Sequence, residues 1–206
     1  MSVKRVKLVV AYDGTNYCGW QVQPNGITIE GVLNRELSRL LKEEIVVIGA
    51  SRTDSGVHSY GNVAVFDTNA RMPAGKISYA LNQRLPEDIV VQNSCEVPSD
   101  WHPRHCNSRK TYEYRILNRE FPMPQRRLDT WFVYRKLNIP AMCEAAKLLE
   151  GTHDFKSFCS VNTAVEDTIR TIYSCELEQQ GELLTIRVTG SGFLYNMVRI
   201  IAGTLF

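Results

Sequence analysis

The stretch Ile45-Val46-Val47-Ile48-Gly49-Ala50-Ser51-Arg52-Thr53-Asp54-Ser55-Gly56-Val57-His58 joins an unbroken β-branched run to a short polar loop that closes on a glycine. Four consecutive β-branched apolar residues mark a buried strand, and Gly56 lets the backbone reverse directly after Asp54. Such a loop holds one carboxylate at a sheet edge, between an arginine and a turn. By itself Asp-Ser-Gly is also an ordinary turn, so its meaning depends on the surrounding chain.

Outward from this loop, residues 6–12 read as a strand. Residues 28–43 read as an amphipathic helix with Ile29, Val32, Leu33, Leu37, Leu40 and Leu41 on one face. Thr28 is placed to cap that helix. Strands are predicted at 45–50 and 62–66, a helix over 73–85 that stops before Pro86, and a strand over 89–97. Strand, helix, strand, strand, helix, strand is the split β-α-β order of a ferredoxin-like unit. A second half repeats the theme. It has a strand at 111–117, a helix over 140–149 capped by Asn138 and closed by Gly151, strands at 168–178 and 183–189, and a final helix starting near Phe193.

The expected fold class is therefore α+β: two ferredoxin-like, RRM-like subdomains, residues 1–98 and 99–206, with antiparallel or mixed sheets and a ligand cleft between them. The two prolines and the aspartate of residues 98–103 mark the linker. Phe193, Leu194, Met197, Val198, Ile201 and Leu205 form an apolar stripe that runs to Phe206 with no capping glycine. The second subdomain is thus expected to be truncated at its C-terminus, as in a shortened product or a fragment.

At 206 residues, 44% hydrophobic and 22% charged, the composition is that of a globular protein with a sizeable core. Six cysteines lie scattered without a C-x-x-C pair, and no signal-like stretch opens the chain, which predicts a reduced, cytoplasmic protein. No apolar run approaches the roughly 20 residues that span a bilayer. His58, His102, His105 and Cys106 have spacings that match no common zinc motif, so no metal is expected.

The net charge of +2 conceals an asymmetry. Residues 101–136 hold nine Lys or Arg (Arg104, Arg109, Lys110, Arg115, Arg119, Arg126, Arg127, Arg135, Lys136) against three acids, so this segment is +6 and the remainder −4. Aromatic residues interleave with it, a mixture suited to phosphates and exposed bases. A solvated basic face on a half-buried sheet has the same composition.

Taken together, residues 49–58, the Tyr112 and Tyr114 pair in Arg109-Lys110-Thr111-Tyr112-Glu113-Tyr114-Arg115, and Gly192-Phe193-Leu194-Tyr195-Asn196-Met197-Val198-Arg199 resemble the signature segments of the TruA-type tRNA pseudouridine synthases. Residues 11–21, 101–104 and 151–155 fit the same pattern, and the resemblance covers nearly the whole chain. Two positions depart from it: Ala50-Ser51 stands where a glycine often precedes the arginine, and Tyr195 where a histidine is common.

The resemblance implies the pseudouridine synthase fold and an isomerase that turns uridine into pseudouridine on the 3′ side of the tRNA anticodon stem-loop. It implies a homodimer that needs no cofactor. It further implies Asp54 as the catalytic group, Arg199 as a buried cation that keeps the carboxylate ionised, and Tyr112 as a stacking partner for uracil that helps remove the C5 proton. A phenol with a pKa of about 10 is a poor unaided base. Arg52 is implied as the wedge that fills the stack when the base flips out. Phe193 and Leu194 are implied to line the pocket, with His58, Arg104, Arg109 and Lys110 on the RNA surface. Without the resemblance, Arg199 reads as a surface helical arginine, Tyr112 as a core strand tyrosine and Arg52 as a partner for Asp54 or a phosphate. A non-catalytic RNA-binding module is the competing function.

Overall fold

The structure, a computed structural model, describes residues 3–161 and 166–206. The chain forms two compact units, Met1–Cys106 and Asn107–Phe206.

In the first unit, strands β1 (Lys4–Tyr12), β2 (Ile48–Gly49), β3 (Ser59–Thr68) and β4 (Ile89–Val97) are joined by helices α1 (Ile29–Leu41) and α2 (Ala74–Asn82). The sheet order is β4-β1-β3-β2 and every pair is antiparallel, the split β-α-β arrangement expected from the element order. Alternation along β1 turns Val6, Leu8, Val10 and Tyr12 inward, where they join Ile29, Leu33 and Leu37 of α1 and Ile77 and Leu81 of α2 in one core. Thr28 caps α1 by accepting from the Gly31 N–H. The helix stops where Lys42 turns left-handed (φ 58°) and donates its N–H to Ser38 O.

The run 45–50 is mostly not a strand. Ile45 N–H donates to Ser38 Oγ at 2.9 Å and Val47 N–H to Asn34 Oδ1 at 2.8 Å, so α1 takes the donors that a sheet partner would otherwise use. Only Ile48 and Gly49 pair with β3. α2 also ends earlier than its periodicity predicts. Asn82 clamps the main chain of β4, with Nδ2 donating to Val91 O at 2.9 Å and Oδ1 accepting from Val91 N at 2.8 Å.

Residues 98–106 cross the first sheet. Arg5 Nη1 donates to Trp101 O at 3.1 Å, Lys7 Nζ lies 5.9 Å from the Trp101 ring centre, and Arg104 Nε donates to Gly49 O at 2.8 Å on edge strand β2. Pro103 beneath this crossing is buried, as is Val65 of β3, on the opposite face from the β3 residues of the helix-covered core.

The second unit comprises β5 (Lys110–Asn118), β6 (Trp131–Val133), α3 (Ile139–Lys147), β7 (Gly151–Asp154), β8 (Ile169–Gln180), β9 (Leu183–Gly190) and α4 (Met197–Leu205). Its sheet order is β6-β5-β9-β8-β7, with only β5 and β6 parallel. The core order β5-β9-β8 matches β1-β3-β2 of the first unit, and two short strands extend it. β6 is three residues long and all of β7 is exposed, so neither has a hydrophobic alternation to read. Gly151 begins β7 rather than closing α3, which ends at Lys147 with Leu148 as its C-cap. α4 begins at Met197, after Asn196 takes a left-handed conformation (φ 58°), four residues later than its apolar stripe predicts. No helix among the described residues is long and apolar enough to cross a membrane.

Candidate active site

The loop that carries Asp54 is held at the main chain on both sides of the carboxylate. Before it, Asn62 Oδ1 accepts from Ser51 N at 3.2 Å and Asn62 Nδ2 donates to Ser51 O at 3.0 Å. Tyr12 Oη and Thr53 Oγ1 lie 2.8 Å apart, and Trp20 N–H donates to Thr53 O at 3.0 Å. Beyond it, Val57 N–H donates to Asp54 O at 3.2 Å and Gly56 N–H to Tyr17 O at 3.3 Å, while Ser55 Oγ donates to Tyr17 O at 3.2 Å. Gly56 makes the turn with φ +76°. Asp54 itself is half-buried.

The frame around the loop is residues 12–20. Tyr17 Oη donates to Asp88 Oδ1 at 2.6 Å. Burial, and then Asp88, push that phenol well above its ordinary value, so it stays a donor. Trp20 is fully buried against Gly49, and its Nε1 donates to Glu30 Oε1 at 3.3 Å. His58 Nδ1 lies 3.2 Å from Gly14 N and 3.0 Å from Asp13 Oδ1. Unprotonated there, it accepts from Gly14; protonated, it donates to Asp13. Thr15, through its hydroxyl and its N–H, holds the Asp13 carboxyl below the usual range, and His58 adds to this.

Two cations of the first unit meet this loop. Arg52 is exposed, and Arg104 is tied to Gly49 O. Partial burial, then the nearby Arg52 guanidinium, lower Arg104 from its usual value. The loop therefore carries Asp54 on a pinned main chain, in a unit that also brings the Arg52 and Arg104 charges near one another, an arrangement suited to a polyanionic substrate.

In the second unit, Tyr112 and Tyr114 share one face of β5, opposite Val188 and Ile186 of β9. The Tyr112 ring meets Phe193 edge-on, with centres 4.9 Å apart and planes at 75°. Phe193 is half-buried and Leu194 is buried in the core. The Arg109 guanidinium sits 4.6 Å over the Tyr173 ring, and Lys110 stands opposite Gly190. Arg199 lies on the exposed side of α4, so the buried position expected for it is not borne out; helical placement on the solvent side of an amphipathic helix accounts for this.

Part of the basic segment spends its charge within this unit. Arg115 meets Glu113 at 2.9 Å and Asp129 at 3.7 Å, Arg126 meets Asp129 at 2.9 Å, and Arg119 meets Glu182 at 3.2 Å. Burial raises Glu113, but hydrogen bonds from Arg115 and Arg187 outweigh it and keep the carboxyl below its usual range. Arg135 stacks 4.8 Å over Phe206. The solvated-face reading thus fits Arg115, Arg119 and Arg126. Among the described residues no group of three or more His, Cys, Asp or Glu is placed to hold a metal ion.

Sequence reasoning did not single out Tyr12, Tyr17 or Asn62. The available signal was a polar residue, Asn62, within the apolar alternation of β3. Comparison with known proteins gives the same picture over almost the full chain. A profile described as tRNA pseudouridine synthase matches residues 8–105 and 145–206. The tRNA pseudouridine synthase A of Thermoanaerobacter sp. (strain X514) is 47% identical over 203 residues, 98% of this chain and 83% of that protein. Those of Citrifermentans bemidjiense and Clostridium acetobutylicum are each 48% identical over 98% of this chain, covering 81% and 83% of their own lengths. With a family profile matching on both sides of the unit boundary, and relatives this similar over 98% of its length, the chain belongs to the tRNA pseudouridine synthase family.

Proposed function

We propose that this protein isomerises uridine to pseudouridine in tRNA, with Asp54 as the catalytic carboxylate. The observation that carries the reading is the pinned loop: one half-buried carboxylate whose neighbours Ser51, Thr53, Ser55 and Gly56 are each tied to fixed groups. Preorganisation of this kind keeps a reacting group within attack geometry and lowers the barrier.

The chemistry fits a single carboxylate. The C1′–N1 glycosidic bond breaks, the uracil turns over, and a C1′–C5 bond forms. The proton on C5 departs and N1 gains one, so product and substrate are isomers and no electrons are exchanged. The carboxylate adds to the sugar carbon or to the base, or deprotonates the sugar. Water must be kept from the intermediate, unlike the two-carboxylate arrangement of glycoside hydrolysis, which admits it.

Tyr112 provides the stacking face, supported by its edge contact with Phe193, and Arg199 is the cation that serves the carboxylate. Arg52, exposed two residues before Asp54, fills the gap left by the flipped base. His58, Arg104, Arg109, Lys110, Phe193 and Leu194 complete the RNA-contacting set. The substrate is the anticodon stem-loop, the enzyme is a cytoplasmic homodimer and no cofactor takes part; family resemblance is the support for these three points.

The test is tritium release from tRNA labelled at uridine C5. The unsubstituted protein is expected to release tritium and Asp54→Ala to release none. Salt-sensitive tRNA binding without release would instead make the chain a binding module.

A further inference from the structure

β2 and β3 pair at Ile48 with Val65 and Gly49 with Ala64, and the Ala50 N–H still donates to Val63 O at 2.7 Å. One step on, the register sets Ser51 opposite Asn62, and there a side chain replaces the main-chain ladder. Asn62 is 6% exposed, and its amide spends both of its polar atoms on Ser51: Oδ1 accepts from the N–H and Nδ2 donates to the C=O. A carboxamide presents an acceptor and a donor side by side, matching one peptide unit; among side chains only asparagine and glutamine do so.

Asn62 lies on the face of β3 that also carries Ala64 and Phe66 into the core. Its amide therefore catches the chain as it leaves the plane of the sheet, one residue before Arg52 and three before Asp54. We infer that Asn62 is a positioning residue for the isomerisation: its two-bond clamp sets the height at which the loop departs from β2 and hence where Arg52 and Asp54 reach. The inference rests on Asp54 acting as proposed above.

The structure contains its own control. Asn82 makes the same two-bond clamp on Val91 of β4, the strand at the opposite edge of the sheet from β2. A clamp that only holds the fold together should behave alike at both places.

Asn62→Asp preserves size and the acceptor but turns a second oxygen toward Ser51 O. It is expected to lower kcat by about 10- to 100-fold, the scale of a displacement of about 1 Å at a reacting group, with KM for tRNA within about twofold. Asn82→Asp is expected to lower the melting temperature comparably and leave kcat within about twofold. A kcat for Asn62→Asp within about twofold of the parent, or an equal loss in Asn82→Asp, overturns the inference. Should Asn62→Asp not fold, Asn62→Ser, smaller and uncharged, carries the same kinetic expectation. Hydrogen exchange on the unsubstituted protein reads the clamp directly: the Ser51 amide should be as protected as those of Val63 and Ala64, and exchange at the solvent rate also overturns the inference. An unsubstituted protein that releases no tritium would refute the function of Asp54, while the exchange measurement would still decide the clamp.

Discussion

Replacing Gly19 with alanine tests whether the Asp54 loop is held as tightly as its hydrogen bonds indicate. Gly19 has φ +83°, and a Cβ there would sit 2.6 Å from Thr53 O, 3.1 Å from the Asp54 carbonyl carbon and 3.3 Å from Ser55 N. All three are main-chain atoms of the loop. Ordinary contact begins near 3.4 Å, so the loop or residues 17–20 must move by about 0.8 Å, on the scale at which misplacement costs roughly 10²-fold in rate. That factor corresponds to about 2.7 kcal/mol in activation free energy. Positive φ at a residue with a side chain adds about 1–2 kcal/mol of strain to the folded state.

Gly181→Ala separates the two effects. Gly181 also has positive φ (+61°), but nothing lies within 4 Å of its Cβ position, so only the strain applies. Single-turnover tritium release with saturating protein, alongside thermal melts, is the assay. Both variants should lose about 1–2 kcal/mol of stability, and only Gly19→Ala should lose roughly 10²-fold in rate. A folded Gly19→Ala that turns over within about threefold of the parent would show that the loop tolerates movement, and the case for a preorganised carboxylate would fail.

Two further outcomes follow from titrating groups. The hydrogen bond from Arg5 holds the Asp67 carboxyl below its usual value, so the folded chain sheds that proton more readily than the unfolded one; the stabilisation is present above the unfolded carboxylate range and is lost as pH falls toward the lower folded value. Because Asp67 is 46% exposed, the loss should be only about 0.2–1 kcal/mol, and urea unfolding at pH 7 and at about pH 2, below the window of the lowered carboxyl, should show a shallower decline in Asp67→Asn; an unchanged decline contradicts the assignment. Cys175 is 4% exposed and burial pushes its thiol up to about 11, so at pH 8 iodoacetamide should leave it unlabelled in the folded protein while half-exposed Cys18 reacts, as peptide mass spectrometry would reveal. Labelling of Cys175 at the rate of Cys18 would mean that the second core opens readily.

Periodicity made β1, α1, β4 and β9 legible because each shows one face to a core. The same reasoning placed a strand over 45–50, since an apolar run does not disclose that Ser38 and Asn34, on the preceding helix, will take its N–H groups. β6 and β7 were illegible because short exposed strands have no pattern to offer. At the site, Asp54, Tyr112 and Arg199 stood out through motif resemblance rather than chemistry. The groups that fix the loop act across gaps that no motif spans: Tyr12 on Thr53, Tyr17 on Ser55 and Gly56, and Asn62 on Ser51. A tyrosine in a strand looks the same whether its hydroxyl ends at water or at a loop forty residues away.

The sheet order β4-β1-β3-β2 also has a consequence for synthesis on the ribosome. β1 emerges first yet occupies an interior position, with β3 on one edge and β4 on the other. At about 5–20 residues per second, roughly 4–17 s pass between translation of Tyr12 and of Val97. During that interval Val6, Leu8 and Val10 have an unfilled hydrogen-bonding edge, the kind of surface that recruits stray strands. Slowing translation between β1 and β4 should therefore lengthen the nascent chain's dependence on chaperones, whereas the same pause late in the second unit, once β4 has left the ribosome, should leave the first unit unaffected.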